Sequence, residues 1–240
     1  MSDPLRVLDC EFCAPPAAYP GSPLRLVANR IIGAHGEMLL VADHAPMTLG
    51  HLLLIPQDHH TGMASFVALK PCASATLYTF TRWYRRAFGK CSVIEHGTGA
   101  VASVAGACID HAHWHLLPFG DELTPIVDGD YGRFMKRITS MEQFASDYAE
   151  TDYLLYWSAD NARATLLDTV ARLPQYARSV VARHLDASAM PYDWDWALRA
   201  DDELLVQTLT AARKAFGAVG DTEKKMASDN TTGISRDTFG

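Results

Sequence analysis

Residues 110–118 read Asp110-His111-Ala112-His113-Trp114-His115-Leu116-Leu117-Pro118, and the fold follows from how they are read. Polar and apolar residues alternate with period two, the pattern of a strand with one buried face. Successive side chains on a strand point to opposite faces. His111, His113 and His115 therefore share one face, neighbours roughly 7 Å apart, and Ala112, Trp114 and Leu116 take the other. Three imidazoles in register on an apolar strand are rarely core filler. They point to a chemical site, or else to an adventitious metal site.

Upstream, residues 25–32, 37–42 and 51–56 are short β-prone runs separated by the turn-like stretches 34–37 and 43–50. Past His59 and His60 the apolar residues Phe66, Leu69, Ala73, Leu77, Phe80, Tyr84 and Phe88 recur every three or four positions. That spacing predicts a long helix with Pro71 as the first residue of its main part. Arg82, Arg85 and Arg86 suit its C-terminal dipole, and Gly89 stops it. Residues 91–97 and 110–118 add two more strands, joined by the small-residue loop 98–108. Strands with one long helix inserted among them predict an α+β fold, not a doubly wound one.

Beyond residue 120 the texture changes. Residues 152–158 and 162–168 form a hairpin around Ala159, Asp160 and Asn161, while 174–185 and 201–216 read as helices, the first opening with Pro174 and the second with acids. The stretch 218–240 has few large apolar residues and no period, which predicts a mobile polar tail. The expected organisation is a domain over 1–119, an extension over 120–217 and a tail over 218–240.

The 240 residues can bury a sizeable core, and 48% hydrophobic with 20% charged residues is ordinary for a globular protein. Residues 1–119 hold 8 basic and 8 acidic side chains, so 120–240 hold 21 − 8 = 13 against 28 − 8 = 20, and the whole net charge of −7 lies there. An acidic half opposes a nonspecific grip on nucleic acid. Nine of the ten histidines precede residue 120, which puts the chemistry in the first half. With no signal-like start and no run of about 18 apolar residues, a cytoplasmic protein without a membrane segment is expected. Five cysteines, an odd number, argue for metal binding or packing over a disulfide framework.

His111-Ala112-His113-Trp114-His115-Leu116-Leu117 resembles the signature of the histidine triad superfamily of nucleotide hydrolases and transferases. Gly50-His51-Leu52-Leu53-Leu54-Ile55-Pro56 resembles the family's Gly-His strand ending in Pro, and Asp43 lies eight residues before that histidine. The resemblance spans about residues 8–119 and implies a five-stranded antiparallel sheet with a long helix. It also implies that His113 is the nucleophile toward the α-phosphorus of a nucleotide. Neutral imidazole suits that role near pH 7. His115 and His51 would donate to phosphoryl oxygens. Asp43 would hold ribose hydroxyls, and Gly106 would let backbone N–H groups approach a phosphate. Cys108 stands where relatives often carry Ser or Thr, a weaker donor at the leaving-group contact.

Cys10-Glu11-Phe12-Cys13 is half of a tetrahedral metal site by spacing alone. The resemblance supplies the other half: zinc-bearing relatives complete such a pair with a histidine after the Pro-ended strand, here His59 or alternatively His60, and with the first histidine of the triad, His111. A structural zinc is thus implied. Cys72 and Cys91 read as core residues. In the extension, Gln175 and Arg178 share a helix face and either reach the distal part of a substrate or belong to a solvated amphipathic helix. Trp194 and Trp196 read as interface or core.

The expected activity is hydrolysis at the α-phosphate of a nucleotide conjugate, such as a dinucleoside polyphosphate or nucleoside phosphoramidate, through a nucleotidyl-histidine intermediate. The alternatives are a nucleotidyltransferase or phosphorylase and a non-catalytic nucleotide-binding protein. His115 favours hydrolysis, because the related uridylyltransferases commonly carry Gln there. A homodimer stays open as the partner arrangement.

Overall fold

The computed structural model describes residues 10–13, 23–99, 111–158, 161–167, 175–190 and 199–231. Its centre is one antiparallel sheet of eight strands in the order β1-β2-β3-β5-β4-β7-β8-β6. The strands are β1 (Ile31–His35), β2 (Met38–Ala42), β3 (Leu52–Pro56), β4 (Ser92–Gly97), β5 (Trp114–Leu117), β6 (Lys136–Ile138), β7 (Tyr153–Ser158) and β8 (Asn161–Leu166). Every neighbouring pair is antiparallel. The fold is α+β, as the sequence predicts, but the sheet has eight strands where five were expected. β7 pairs with β4 over its whole length, from Ser92 opposite Ser158 to Gly97 opposite Tyr153. A strand centred on buried Val93 and Ile94 would be a hazardous open edge, and the second half of the chain covers it.

The helices are α1 (Val27–Arg30), α2 (Met63–Leu69), α3 (Ala73–Phe88), α4 (Thr124–Tyr131), α5 (Met141–Tyr148), α6 (Tyr176–Leu185) and α7 (Asp202–Thr231). Several boundaries differ from expectation. The run 25–32 is not one strand: the helical turn α1 occupies half of it and β1 starts at Ile31. The long helix is broken at Lys70-Pro71-Cys72, where the ring of Pro71 cannot continue the α2 ladder. Gly89 ends α3 as predicted, with φ +83° and its N–H on the Arg85 carbonyl. The segment 218–231 is helical, not an irregular tail, because α7 continues through Glu223, Lys224, Lys225 and Met226, good helix formers with no proline among them. The elements α4, β6 and α5 had no sequence-level expectation.

Alternation along the strands sorts the side chains onto two faces. One face carries Leu40, Leu54, Val93, Trp114 and Leu116 and is covered by α2, α3, α5 and α7. The other carries Val41, Leu53 and Ile55 at one end. At its other end lie Ile94, Leu154 and Tyr156, beneath α4 and α6. Helix α7 returns to the far edge, where the Phe216 ring packs so close to Gly33 of β1 that a Cβ there would lie 2.2 Å from it. Arg213 donates to the carbonyls of Asn29 and Ile31 on that edge. Both ends of the first-half sheet are thus closed by second-half elements. Among the described residues no helix is long and apolar enough to cross a membrane.

Candidate functional site

Directly opposed residues on antiparallel strands share a face, so Leu53, His115, Ile94 and Tyr156 form one row across β3, β5, β4 and β7. The histidines occupy the strip between the two apolar clusters of that face. His51 comes just before β3, and its placement depends on Gly50. With φ +87°, Gly50 adopts a conformation L side chains disfavour, and a Cβ would lie 2.8 Å from the Phe88 ring. The Tyr84 hydroxyl donates to the Gly50 carbonyl, and the Gly50 N–H donates to Thr208 Oγ1 at 3.3 Å. Helices α3 and α7 therefore fix the entry of His51 into the strip.

The hydrogen bonds assign the tautomers. The Met47 N–H donates to His51 Nδ1 at 3.3 Å, so the His51 proton sits on Nε2. Nε2–H then donates to His115 Nδ1 at 2.9 Å, which leaves the His115 proton on its own Nε2. His113 is arranged the opposite way. Its Nδ1–H donates to the His111 carbonyl at 2.7 Å, so Nε2 carries an uncommitted lone pair. The His113 and His115 rings lie 4.9 Å apart. Burial lowers the pKa of His51 to about 4, that of His115 well below the ordinary histidine value, and that of His113 below it. All three rings are neutral near pH 7: one bare nucleophilic nitrogen beside one outward N–H donor.

Behind the pair lies Asp43, 1% exposed. Its Oδ1 accepts from the Ala45 N–H at 2.8 Å and from Arg178 Nη2 at 2.5 Å. Its Oδ2 lies 3.6 Å from His51 Nε2 and 3.9 Å from His115 Nδ1. Burial is the largest single influence and would raise the Asp43 pKa, but the Arg178 guanidinium together with His51, His44 and His115 outweighs it and holds the carboxyl well below the usual range. Arg178 is 7% exposed and also donates to the Ala45 carbonyl at 2.7 Å. It lies in the first turn of α6, whose residues 176–182 are all buried, so this helix is not a solvated amphipathic one.

A second group lies at the other end of the same strip. The ligand atoms of Cys10, Cys13, His59 and His111 all fall within 4.8 Å of one another, and together they could hold a metal ion. His111 Nδ1 is 3.3 Å from Cys10 Sγ and 3.5 Å from Cys13 Sγ, and His59 Nδ1 is 3.5 Å from Cys13 Sγ. The His111 Nε2–H donates to the Pro56 carbonyl at 2.9 Å, which turns the Nδ1 lone pair toward the thiols, as metal-ligating histidines are commonly oriented. His60 is outside the group, its ring packed on Phe66.

The structure thus brings together Asp43, His51, His113, His115 and Arg178 in one cluster, and Cys10, Cys13, His59 and His111 in the other. Gly106 and Cys108 lie outside the described residues, as do Trp194 and Trp196. Gln175 sits at the start of α6 with φ +51°, a strained backbone for a non-glycine residue, and its Oε1 is buried without a hydrogen-bond partner. Cys91 is buried as expected, whereas Cys72 is exposed at the break before α3 and is not a core residue. Sequence reading missed Glu11 and Arg30, which form an ion pair beside the cysteines, Arg30 fully buried and Glu11 partly so. The only signal was an arginine within an apolar run. It also placed Glu95 in a strand without a role: this carboxyl is buried, accepts from Trp114 Nε1 and the Met63 N–H, and burial raises its pKa to about 7. Scanned against protein-family models the chain matches none, and no curated protein matches it significantly.

Proposed function

We propose that the protein is a nucleotide hydrolase of histidine triad type, cleaving at the α-phosphate of a nucleotide conjugate through a covalent intermediate on His113. The observation that carries this reading is the opposed tautomers of adjacent rings: a bare Nε2 on His113 and an Nε2–H on His115. Attack by His113 Nε2 on phosphorus forms an N–P bond as the bond to the leaving group breaks; a phosphate leaving group departs as its anion, and an amine departs with a proton taken from solvent. The ring becomes cationic, and the His111 carbonyl that accepts from Nδ1–H stabilises that charge. His115, oriented by His51, donates to the phosphoryl oxygens as negative charge develops. Water then attacks phosphorus and the N–P bond breaks. Neutral His113 and a nucleoside monophosphate are regenerated, the excess proton leaving to solvent. The contiguous first five strands with the adjoining helix α3 agree with the sheet and helix such a protein would have.

In this reading Asp43 and Arg178 set the electrostatics of the histidine pair from behind. Gln175, Gly106 and Cys108 are assigned to the substrate on sequence grounds. The four-donor group holds a structural zinc. Zinc bound at about 2.3 Å to sulfur and about 2.0 Å to nitrogen in a tetrahedron puts sulfur and nitrogen about 3.5 Å apart, and the three separations found are 3.3, 3.5 and 3.5 Å. Bound there, the metal would anchor the segment that leads from His111 into β5 and take no part in the reaction.

The test is incubation with adenosine and guanosine phosphoramidates and dinucleoside polyphosphates, with and without inorganic phosphate. The reading predicts nucleoside monophosphate in both conditions. Nucleoside diphosphate formed only with phosphate would instead identify a phosphorylase, and tight binding without turnover a binding protein.

A further inference from the structure

The turn carrying Cys10 and Cys13 is held to the sheet by more than its thiols. Between them, Glu11 turns inward, its side chain 14% exposed, and forms an ion pair with Arg30 Nη2. Arg30 has no exposed surface. Its orientation is fixed by two backbone carbonyls: Nε donates to Arg25 at 2.8 Å and Nη1 to Ala42 at 2.7 Å. Glu11 Oε1 also lies 3.8 Å from His44 Nδ1. Ala42 is the last residue of β2, and Asp43 and His44 follow it directly. Arg30 and Glu11 therefore bridge the cysteine turn to the segment that supplies Asp43 to the histidine pair. Neither belongs to the four-donor group or to the histidine cluster.

An arginine stays charged at any ordinary pH, and burying that charge is costly unless a counter-charge with good hydrogen bonds accompanies it. Here a counter-charge sits on a turn whose flanking side chains are two of the metal donors. The Phe12 ring, in the same turn, packs edge-on to His111 at 5.3 Å and against the cluster of Val41, Leu53 and Ile55. A loop that has to be ordered before two thiols can meet a metal loses affinity to that ordering, and a preformed anchor removes the loss.

We propose that Glu11 and Arg30 are positioning residues of the metal site: their partly buried ion pair docks the cysteine turn, presents Cys10 and Cys13 to His59 and His111, and slows departure of the metal. This rests on the zinc reading above. The coupling is reciprocal, so an occupied site also holds Glu11 against Arg30 and steadies the Ala42–His44 segment.

The experiment uses full-length zinc-loaded protein, its fold verified by circular dichroism, and compares wild type with Glu11→Gln, which keeps the side-chain shape and removes the charge. The first readout is the rate at which a colorimetric chelator strips zinc. The second is the visible spectrum of the cobalt-substituted protein, which reports ligand geometry independently of any activity. Glu11→Gln is expected to weaken zinc binding about 10- to 100-fold, as loss of an outer-shell partner does, with faster stripping and an altered cobalt spectrum. The double variant Glu11→Leu with Arg30→Met leaves no buried charge unpaired and is expected to regain most of the retention. Stripping of Glu11→Gln at the wild-type rate overturns the proposal, and so does a double variant that releases zinc as fast as the single. Wild-type protein that takes up no zinc overturns the metal reading itself, and this inference with it.

Discussion

His113 owes its nucleophilic nitrogen to a backbone carbonyl. With Nδ1–H committed to His111, protonation of Nε2 would place a cation in a partly buried strip, and burial lowers the pKa of the ring accordingly. A nucleophile of this kind must be deprotonated to act. The acid limb of kcat/KM is therefore predicted below pH 6.5, and a pH profile with that limb at or above 6.5 would contradict the arrangement. Arg178 contributes from behind. It disfavours a proton on His51, whereas Asp43 favours one. Arg178→Met leaves Asp43 without its partner, so His51 is predicted to titrate upward from about 4 in an imidazole NMR titration, and the protein to lose about 3–5 kcal/mol in urea melts through the unpaired buried charge. An unmoved His51 would mean that the ion pair is electrically silent at the site.

Among the elements, the short path from α3 and α7 to His51 runs through one glycine. Gly50→Ala meets both a positive φ and the Phe88 ring, so a loss of about 1–3 kcal/mol is predicted from backbone strain, with turnover falling further because His51 moves. Equal urea midpoints for the variant and the wild type would show that the turn accommodates a side chain freely. This level is also where the sequence was most and least legible. The period-two alternation in 110–118 correctly placed Trp114 and Leu116 in the core with His115 opposite, because strand alternation is geometric, but the strand is shorter than expected: β5 begins at Trp114, and His111 and His113 precede it. The cysteine pair could be joined to His59 and His111 only through resemblance, since spacing along the chain carries no information about ligands about fifty and a hundred residues away. Arg178 was legible as a residue of interest but its partner was not. Nothing local in either stretch links position 178 to position 43. The elements α4, β6 and α5 were missed because short segments, eight, three and eight residues long, give periodicity too little length to register.

Across the whole molecule, the two halves do not separate as the change in composition suggested. β7 covers β4, α7 closes the edge at β1, and Arg178 of the second half neutralises Asp43 of the first. The acidic half therefore places a buried positive charge, Arg178, at the site despite its net charge, since contact distances outweigh fields screened beyond about 8 Å. Residues 1–119 expressed alone are predicted not to fold, and a dispersed amide NMR spectrum from that fragment would refute this dependence. The proposed activity turns on a covalent bond to His113. It is tested most directly by acid quench of the full-length protein during turnover of an adenosine phosphoramidate, followed by peptide mass spectrometry. An adenylyl adduct on the His113 peptide, absent from His113→Ala protein that has also lost turnover, is the predicted result. Turnover with no adduct, or an adduct on another residue, would contradict it.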